Sequence, residues 1–437
     1  MNLFDLSLRI NGFPIKEASA AFKTIKSLNT SEYETYFYKQ REAIVNYHLQ
    51  NNGFYKQLAS NTNPKDWNST PIMTKLNLQQ PLESRLSKGF SIKNCHVHKT
   101  SGSSGTPFIF AKDKYCHAIT WSGFIDRYSW YNLDFNTSKQ ARFYGIPLNT
   151  TGYYKERLKD VLSRRYRFSV FDLSDAQLKK NLNKFKSTAF DYINGYTSSI
   201  VQFAKFLERK NIILKSVSPS LKVCIVTSEM LFDNDKTLIE KQFGIPVVNE
   251  YSAAELGLIA FQNTYDEWIV NSEDLFIEIL DENNKPVPNG QEGKIVITSL
   301  YNKAHPFIRY QLGDIGALSE KSTLKKPILK RLVGRTNDIA ILPSGKRAAG
   351  LTFYYVTKTI IEDDGNVKEF IIEQIKLDTF KISYVSEIPL SNNKIKLIND
   401  AISKYLETGL FVSFERKKVL KRAKSGKLKQ FTSHLKQ

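Results

Sequence analysis

The stretch Lys99–Phe108, KTSGSSGTPF, decides how the chain is to be divided. Glycine and serine at this density make a flexible linker, and the same residues make a loop whose backbone N–H groups can wrap a phosphate. A linker should be flanked by polar sequence. Here the stretch runs directly into FIFAKDKY, which reads as a strand. A structured loop is therefore expected. It is not a Walker A loop, because only two residues separate Gly102 from Gly105 and no Gly-Lys pair follows.

At 437 residues the chain is too long for one core and is expected to form two or three domains. With 41% hydrophobic and 24% charged residues it reads as an ordinary globular protein. No segment reaches the roughly 18 apolar residues of a membrane span. The longest candidate, FGIPVVNEYSAAELGLIAF, carries Glu250 and Glu255 in its middle, and Asp5 and Arg9 stand where a secretory leader would be apolar. The expectation is a cytoplasmic protein with no integral membrane association. Cys95, Cys116 and Cys224 have no C-x-x-C spacing, so neither a disulfide framework nor a zinc ribbon is indicated. In CHVH, Cys95–His98, a strand would put His96 and His98 on one face and Cys95 on the other. The choice there lies between a metal pair, with Cys116 and His117 nearby in sequence, and polar residues at a sheet edge. The net charge of +20 attracts anions of any kind. Basic density peaks in ERKKVLKRAKSGKLKQFTSHLKQ, with nine Lys or Arg against one Glu.

The first hundred residues read as helices and loops. From Ser174 the pattern is helical, with Ser174 and Gln177 as a capping box and Leu178, Leu182, Phe185 and Ala189 at helical spacing. A second helix near Thr197 buries Ile200, Phe203, Ala204 and Leu207. LKVCIVTS, Leu221–Ser228, and GIPVVNEY read as buried strands, so strands alternate with helices and imply a largely parallel sheet covered on both faces. DLFIEIL and GKIVITSL flank a turn-rich excursion. After LVGRTND the pattern becomes strand, helix (Leu351 to Ile361), two strands, helix and strand, a small α+β domain of about a hundred residues. The boundary is expected between Gly334 and Asp338.

Five segments in order now fit together. TSGSSGTP resembles the Ser/Thr/Gly-rich loop of the AMP-forming, adenylate-forming superfamily, NEYSAAELG its aromatic-Gly-x-Thr-Glu segment, and RYQLGDIG its Tyr-x-Thr-Gly-Asp segment. LVGRTNDIAILPSGKR resembles its Gly-Arg-x-x-Asp hinge, and KRAKSGKLKQF its C-terminal Ser-Gly-Lys segment. GYTSSI and HPFIRYQLGDIG most resemble the phenylacetate-CoA ligase branch, which includes enzymes encoded with capsular polysaccharide biosynthesis. The resemblance implies a large N-terminal α/β domain with mixed sheets covered by helices, residues 1–337, binding nucleotide and acid. A small C-terminal α+β, ferredoxin-like mobile domain, residues 338–437, carries the catalytic lysine.

The reaction so implied is ATP-dependent activation of a carboxylic acid to an acyl-adenylate, with CoA the expected acceptor and an amine of a sugar or amino-acid intermediate the alternative. A carboxylate is ionised at pH 7, so the first step needs positioning and charge neutralisation rather than a general base. Thr100, Ser101, Gly102, Ser103, Ser104, Gly105 and Thr106 would cradle phosphates. By resemblance Glu255 would hold Mg²⁺, Tyr251 beside Ser252 would stack on adenine, Asp314 would bind the ribose hydroxyls, and Arg335 would contact ribose or phosphate. Asp338 would be the hinge residue. Lys427 would offset charge at the α-phosphate, and Ser228 and Glu229 would line the adenine pocket. Phe108, Ala254, Leu312 and Ser252 depart from the pattern, which keeps a degenerate homologue open. A rival of another class is a nucleic-acid-binding protein, with YYKERLKDVLSRRYRF supplying phosphate contacts and stacking; it leaves the five ordered segments unexplained.

Overall fold

Apolar residues at helical spacing fold the first third of the chain onto itself. The computed structural model describes residues 3–100, 108–145, 150–335, 339–345, 347–349, 361, 366–422 and 428–435. Helices α1 (Leu3–Ile10), α2 (Ile15–Ser27), α3 (Thr30–Asn51), α4 (Gly53–Leu58) and α5 (Leu82–Arg85) come first. Asn29 and Glu32 close a complete capping box on α3. The hairpin of β1 (His96–Lys99) and β2 (Ile109–Lys112) follows, then α6 (Lys114–Ser129). Ala18, Phe22 and Ile25 of α2 and Tyr33 and Phe37 of α3 form one buried cluster with Ala118 and Ile119 of α6.

The next stretch alternates β3 (Gln140–Phe143), α7 (Thr150–Leu162), β4 (Arg165–Phe168), α8 (Asp175–Lys186), β5 (Tyr192–Tyr196), α9 (Thr197–Arg209), α10 (Leu214–Val217), β6 (Val223–Thr227), α11 (Asp233–Phe243) and β7 (Val247–Ala253). These strands lie in the order β4-β3-β5-β6-β7 and all pair in parallel. Side chains alternate across them. Ala141, Phe143, Ile193 and Cys224 share a core with α8, α9 and α11, and Tyr192, Val223, Ile225 and Val248 share another with Tyr128 of α6.

From β7 the sheet continues in antiparallel pairings through β8 (Gly257–Gln262) and β9 (Trp268–Val270) to β13 (Ile328–Arg335). Strands β12 (Tyr310–Leu318), β11 (Gly293–Ser299) and β10 (Leu275–Leu280) complete one sheet of 11 strands. Two expectations need correction. Helix α8 stops at Lys186, so Ala189 lies beyond it. Its box is half made: Ser174 Oγ accepts from the Gln177 N–H at 3.4 Å, but the Gln177 side chain donates to Asn181 instead of turning back.

The chain divides into two compact units, Met1–Leu312 with Gly316–Arg331, and Gly313–Ile315 with Leu332–Gln437. In the second, β14 (Ile339–Ile341) pairs with β15 (Arg347–Ala349). A four-stranded sheet runs β18-β17-β16-β19, from β16 (Val367–Gln374), β17 (Thr379–Ser386), β18 (Phe411–Lys417) and β19 (Phe431–Ser433). The helix Asn392–Tyr405 buries Ile398 and Ile402. The boundary expected between 337 and 338, and the helix expected from Leu351 up to Ile361, lie outside the described residues except for Ile361.

Gly195 lies opposite Phe143 across β5 and β3, and a Cβ there would meet Phe143 Cβ and its carbonyl oxygen at 2.5 Å. Gly195→Ala is expected to destabilise the protein by about 1–3 kcal/mol through overpacking, read as a lower urea midpoint.

Candidate active site

Chain connectivity reverses direction between β3 and β5, and in open parallel sheets ligands bind outside the carboxyl ends near such a point. The parallel ladder ends at Tyr196, Thr227 and Glu250, and β7 runs on through Tyr251, paired with Ala260 of β8. Register sets Thr227 beside Glu250, so Ser228 and Glu229 emerge next to Tyr251 and Ser252. Ser228 adopts φ +70°, in the left-handed region. The Glu229 carboxylate accepts from the Ser198 N–H at 2.7 Å and its carbonyl accepts from Thr197 Oγ1 at 3.2 Å, which caps α9.

The β7–β8 hairpin holds three of the expected residues. Tyr251 is buried, with its ring edge-on to Trp268 at 6.1 Å. A register shift follows between Tyr251 and Ser252 and turns the chain sharply through Ala254 to Glu255. Ser252 donates to Glu250 Oε1 at 3.1 Å. Glu255 is buried and accepts from the Tyr310 hydroxyl at 3.1 Å.

Lys112, at the end of β2, is the residue the sequence reading missed. It is only 3% exposed; burial pushes its ammonium down, against the pull of Asp274, Glu255 and Asp113. The available signal was a lysine closing an apolar strand. Behind it Arg127 bridges Asp126 at 2.7 Å and Glu273 at 2.6 Å. Asp274 accepts from Asn271 Nδ2, and burial raises its carboxyl to about 7 despite the nearby Lys112.

A second polar set centres on Glu250, raised by burial and held by Tyr128 at 2.7 Å and Thr227 at 3.1 Å. Arg142 faces it from β3 and lies over the Tyr144 ring at 4.3 Å; its Nε has no hydrogen-bond partner among the described residues.

Thr100 closes the base of the glycine-rich loop: its N–H donates to the Phe108 carbonyl at 2.9 Å, and its Oγ1 accepts from the Phe108 N–H at 3.1 Å. Phe108 is buried under the Arg85 guanidinium, 5.3 Å from its ring, and Arg85 also donates to the Ile109 carbonyl at 2.8 Å. Ser101, Gly102, Ser103, Ser104, Gly105 and Thr106 lie outside the described residues, as do Asp338 and Lys427. Asp314 is buried on β12, one residue after Gly313 at φ +90°. Arg335 ends β13. The imidazoles of His96 and His117 stack at 3.9 Å, with His98 a further 6.2 Å from His96, so their faces rather than their lone pairs meet. No group of His, Cys, Asp or Glu among the described residues is arranged to hold a metal ion by itself.

This sheet and hairpin are the architecture of adenylate-forming ligases. The 2-hydroxyisobutyryl-CoA ligase in its postadenylation state superposes with a TM-score of 0.70 at 15% identity, covering 92% of this chain and 90% of that one. Anthranilate CoA ligase AuaEII in complex with anthranoyl-AMP gives 0.53 at 14%, covering 76% and 64%. By sequence the chain is a homologue of Protein CapK of Staphylococcus aureus, 26% identical over 322 residues, and of the phenylacetate-coenzyme A ligase of Pseudomonas putida, 25% identical over 255 residues. These matches take in 68% and 56% of this chain, and 66% and 56% of the two relatives, so the chain spans between about half and two thirds of the curated relatives it matches. No family model matches.

Because Asp274 binds its proton more tightly folded than unfolded, it contributes stability at low pH that is lost as pH rises through about 7. Asp274→Asn is expected to flatten the fall in unfolding free energy between the ordinary carboxyl value of 3.8 and about 7, followed by urea titration; an unchanged slope would assign the pH dependence elsewhere.

Proposed function

We propose that the protein activates a carboxylic acid with ATP, releasing pyrophosphate, and transfers the acyl group of the adenylate to CoA. The observation that carries this reading is the β7–β8 hairpin, with Tyr251, Ser252 and the buried carboxylate of Glu255 at the carboxyl ends of the parallel strands. The coenzyme A ligases among its relatives support the acceptor.

Glu255 suits Mg²⁺, a hard cation that takes carboxylate oxygen, and its bond to Tyr310 fixes the carboxylate. Mg²⁺ bound there would neutralise phosphate oxygens of ATP. Thr100, with the hydroxyls and amides of Ser101–Thr106, would position the phosphates. Tyr251 would stack on adenine beside Ser252, with Ser228 and Glu229 at its edge. Asp314 would accept from the ribose hydroxyls and Arg335 would contact ribose or phosphate. Lys427, in a mobile domain of residues 338–437, would face the α-phosphate as charge develops there. The acid is ionised at pH 7 and attacks without a base. An amine on a sugar or amino-acid precursor is the alternative acceptor, and the cytoplasm the working compartment.

The test is pyrophosphate release from Mg-ATP over aryl, fatty, hydroxy and amino acids, with and without CoA. Release should depend on one acid class, and Lys427→Ala should lower kcat by about 10²–10³-fold while nucleotide still binds. ATP binding with no release for any acid would instead identify a non-catalytic homologue.

A further inference from the structure

Helix α7 is built inside out. Its two acidic residues face the protein: Asp160, 2% exposed, takes Arg165 at 2.5 Å and Arg167 at 3.1 Å, and Glu156 takes Arg167 at 2.9 Å. Its apolar residues face away, with Leu158 63%, Val161 72% and Leu162 54% exposed, and Tyr154, one turn earlier, 67%. Positions 154, 158, 161 and 162 form a single stripe at helical spacing. A surface helix of a globular protein normally carries the opposite arrangement, and a contiguous exposed apolar stripe marks an interaction surface.

Charge selects the partner. Residues 153–168 hold six basic side chains against two acidic ones; Arg165 and Arg167 are taken by Asp160 and Glu156, so the charge offered outward comes from the other basic residues of a chain of net charge +20. Arg164 is exposed just past the helix and Lys159 is 51% exposed upon it. Arg157 and Lys184 both sit over the ring of Tyr166, at 5.2 and 4.8 Å, which makes a basic margin at the sheet edge. A second copy of the chain would bring these cations against their own kind, and four side chains fall well short of the roughly 800 Å² per partner of a stable protein interface. A polynucleotide would satisfy the charge and leave the apolar stripe in water. An anionic bilayer satisfies both, taking apolar side chains at the acyl boundary and cations at the headgroups.

We propose that α7 and its basic margin dock the protein peripherally on an anionic membrane surface. The proposal is independent of the adenylation chemistry. It is tested by co-sedimentation of the full chain with phosphatidylcholine vesicles and with mixed phosphatidylglycerol–phosphatidylcholine vesicles. Binding should require phosphatidylglycerol, weaken with salt, and fall about tenfold or more in the double variant Leu158→Asp, Val161→Asp. Both positions are exposed, so the variant should keep the wild-type thermal midpoint. Absence of binding to the anionic vesicles at low salt overturns the proposal. So does equal binding by the folded variant, which would mean that charge acts without the helix. A wild-type dimer that the variant converts to monomer would assign the stripe to a second copy instead.

Discussion

The site depends on how closely β8 can return past β2 and α6. Gly257 opens β8 at φ +92°, and a Cβ there would meet Thr120 Cγ2 at 2.3 Å and Lys112 Nζ at 3.2 Å. A left-handed residue with no side chain is the physical condition for a turn this tight. It lets Glu255 enter the interior beside Lys112 rather than project into solvent. Burying a carboxyl group costs free energy unless donors or an opposite charge face it. Tyr310 and Lys112 supply these from β12 and β2, two strands that are remote in sequence.

The same turn marks the change from parallel to antiparallel pairing, and it accounts for which parts of the fold were legible in sequence. The parallel strands are continuous apolar runs: every residue of β5 and β6 is buried, and such runs separated by amphipathic helices are visible without coordinates. Ala189 was read into α8 because it keeps the helical spacing, but Ser187 ends the helix before it. The motif residues were legible as order along the chain, and Tyr251, Ser252 and Glu255 lie on the one hairpin. Lys112, Glu250 and Arg142 were not legible. Their importance comes from burial and from neighbours on other strands, and single residue types carry no signal of either.

Charge divides in the same manner. Read in sequence, RRYRF within residues 164–168 looks like a phosphate-binding patch. Folded, Arg165 and Arg167 are committed to Asp160 and Glu156, and Arg127 is committed to Asp126 and Glu273. Removing one member of such a buried pair leaves an uncompensated charge, so these arginines hold the fold and are not available to an external anion. The nucleic-acid reading thereby loses two of the six cations in the segment that motivated it, while Arg164 and Lys159 remain at the surface.

The departures from the adenylate-forming pattern can be weighed by what each residue touches. Phe108 is a core side chain packed beneath Arg85 and against Phe307, 6.2 Å between rings; its substitution for lysine stabilises the loop's base while removing a cation from the loop. Ser252 adds a hydroxyl where the pattern has glycine and directs it to Glu250. Ala254 and Leu312 lack hydroxyls, and one ordinary hydrogen bond contributes about 0.5–1.5 kcal/mol. A bond to a charged phosphate contributes about 1.5–3 kcal/mol, so either loss alone would slow the proposed adenylation by about one to two orders of magnitude. Loss of the carboxylate that would carry Mg²⁺ or of the lysine facing the α-phosphate would cost far more, and Glu255 and Lys427 are both present in the sequence. The residues the proposed chemistry leans on most are therefore present in the sequence, and the departures fall on side chains that would make single contacts.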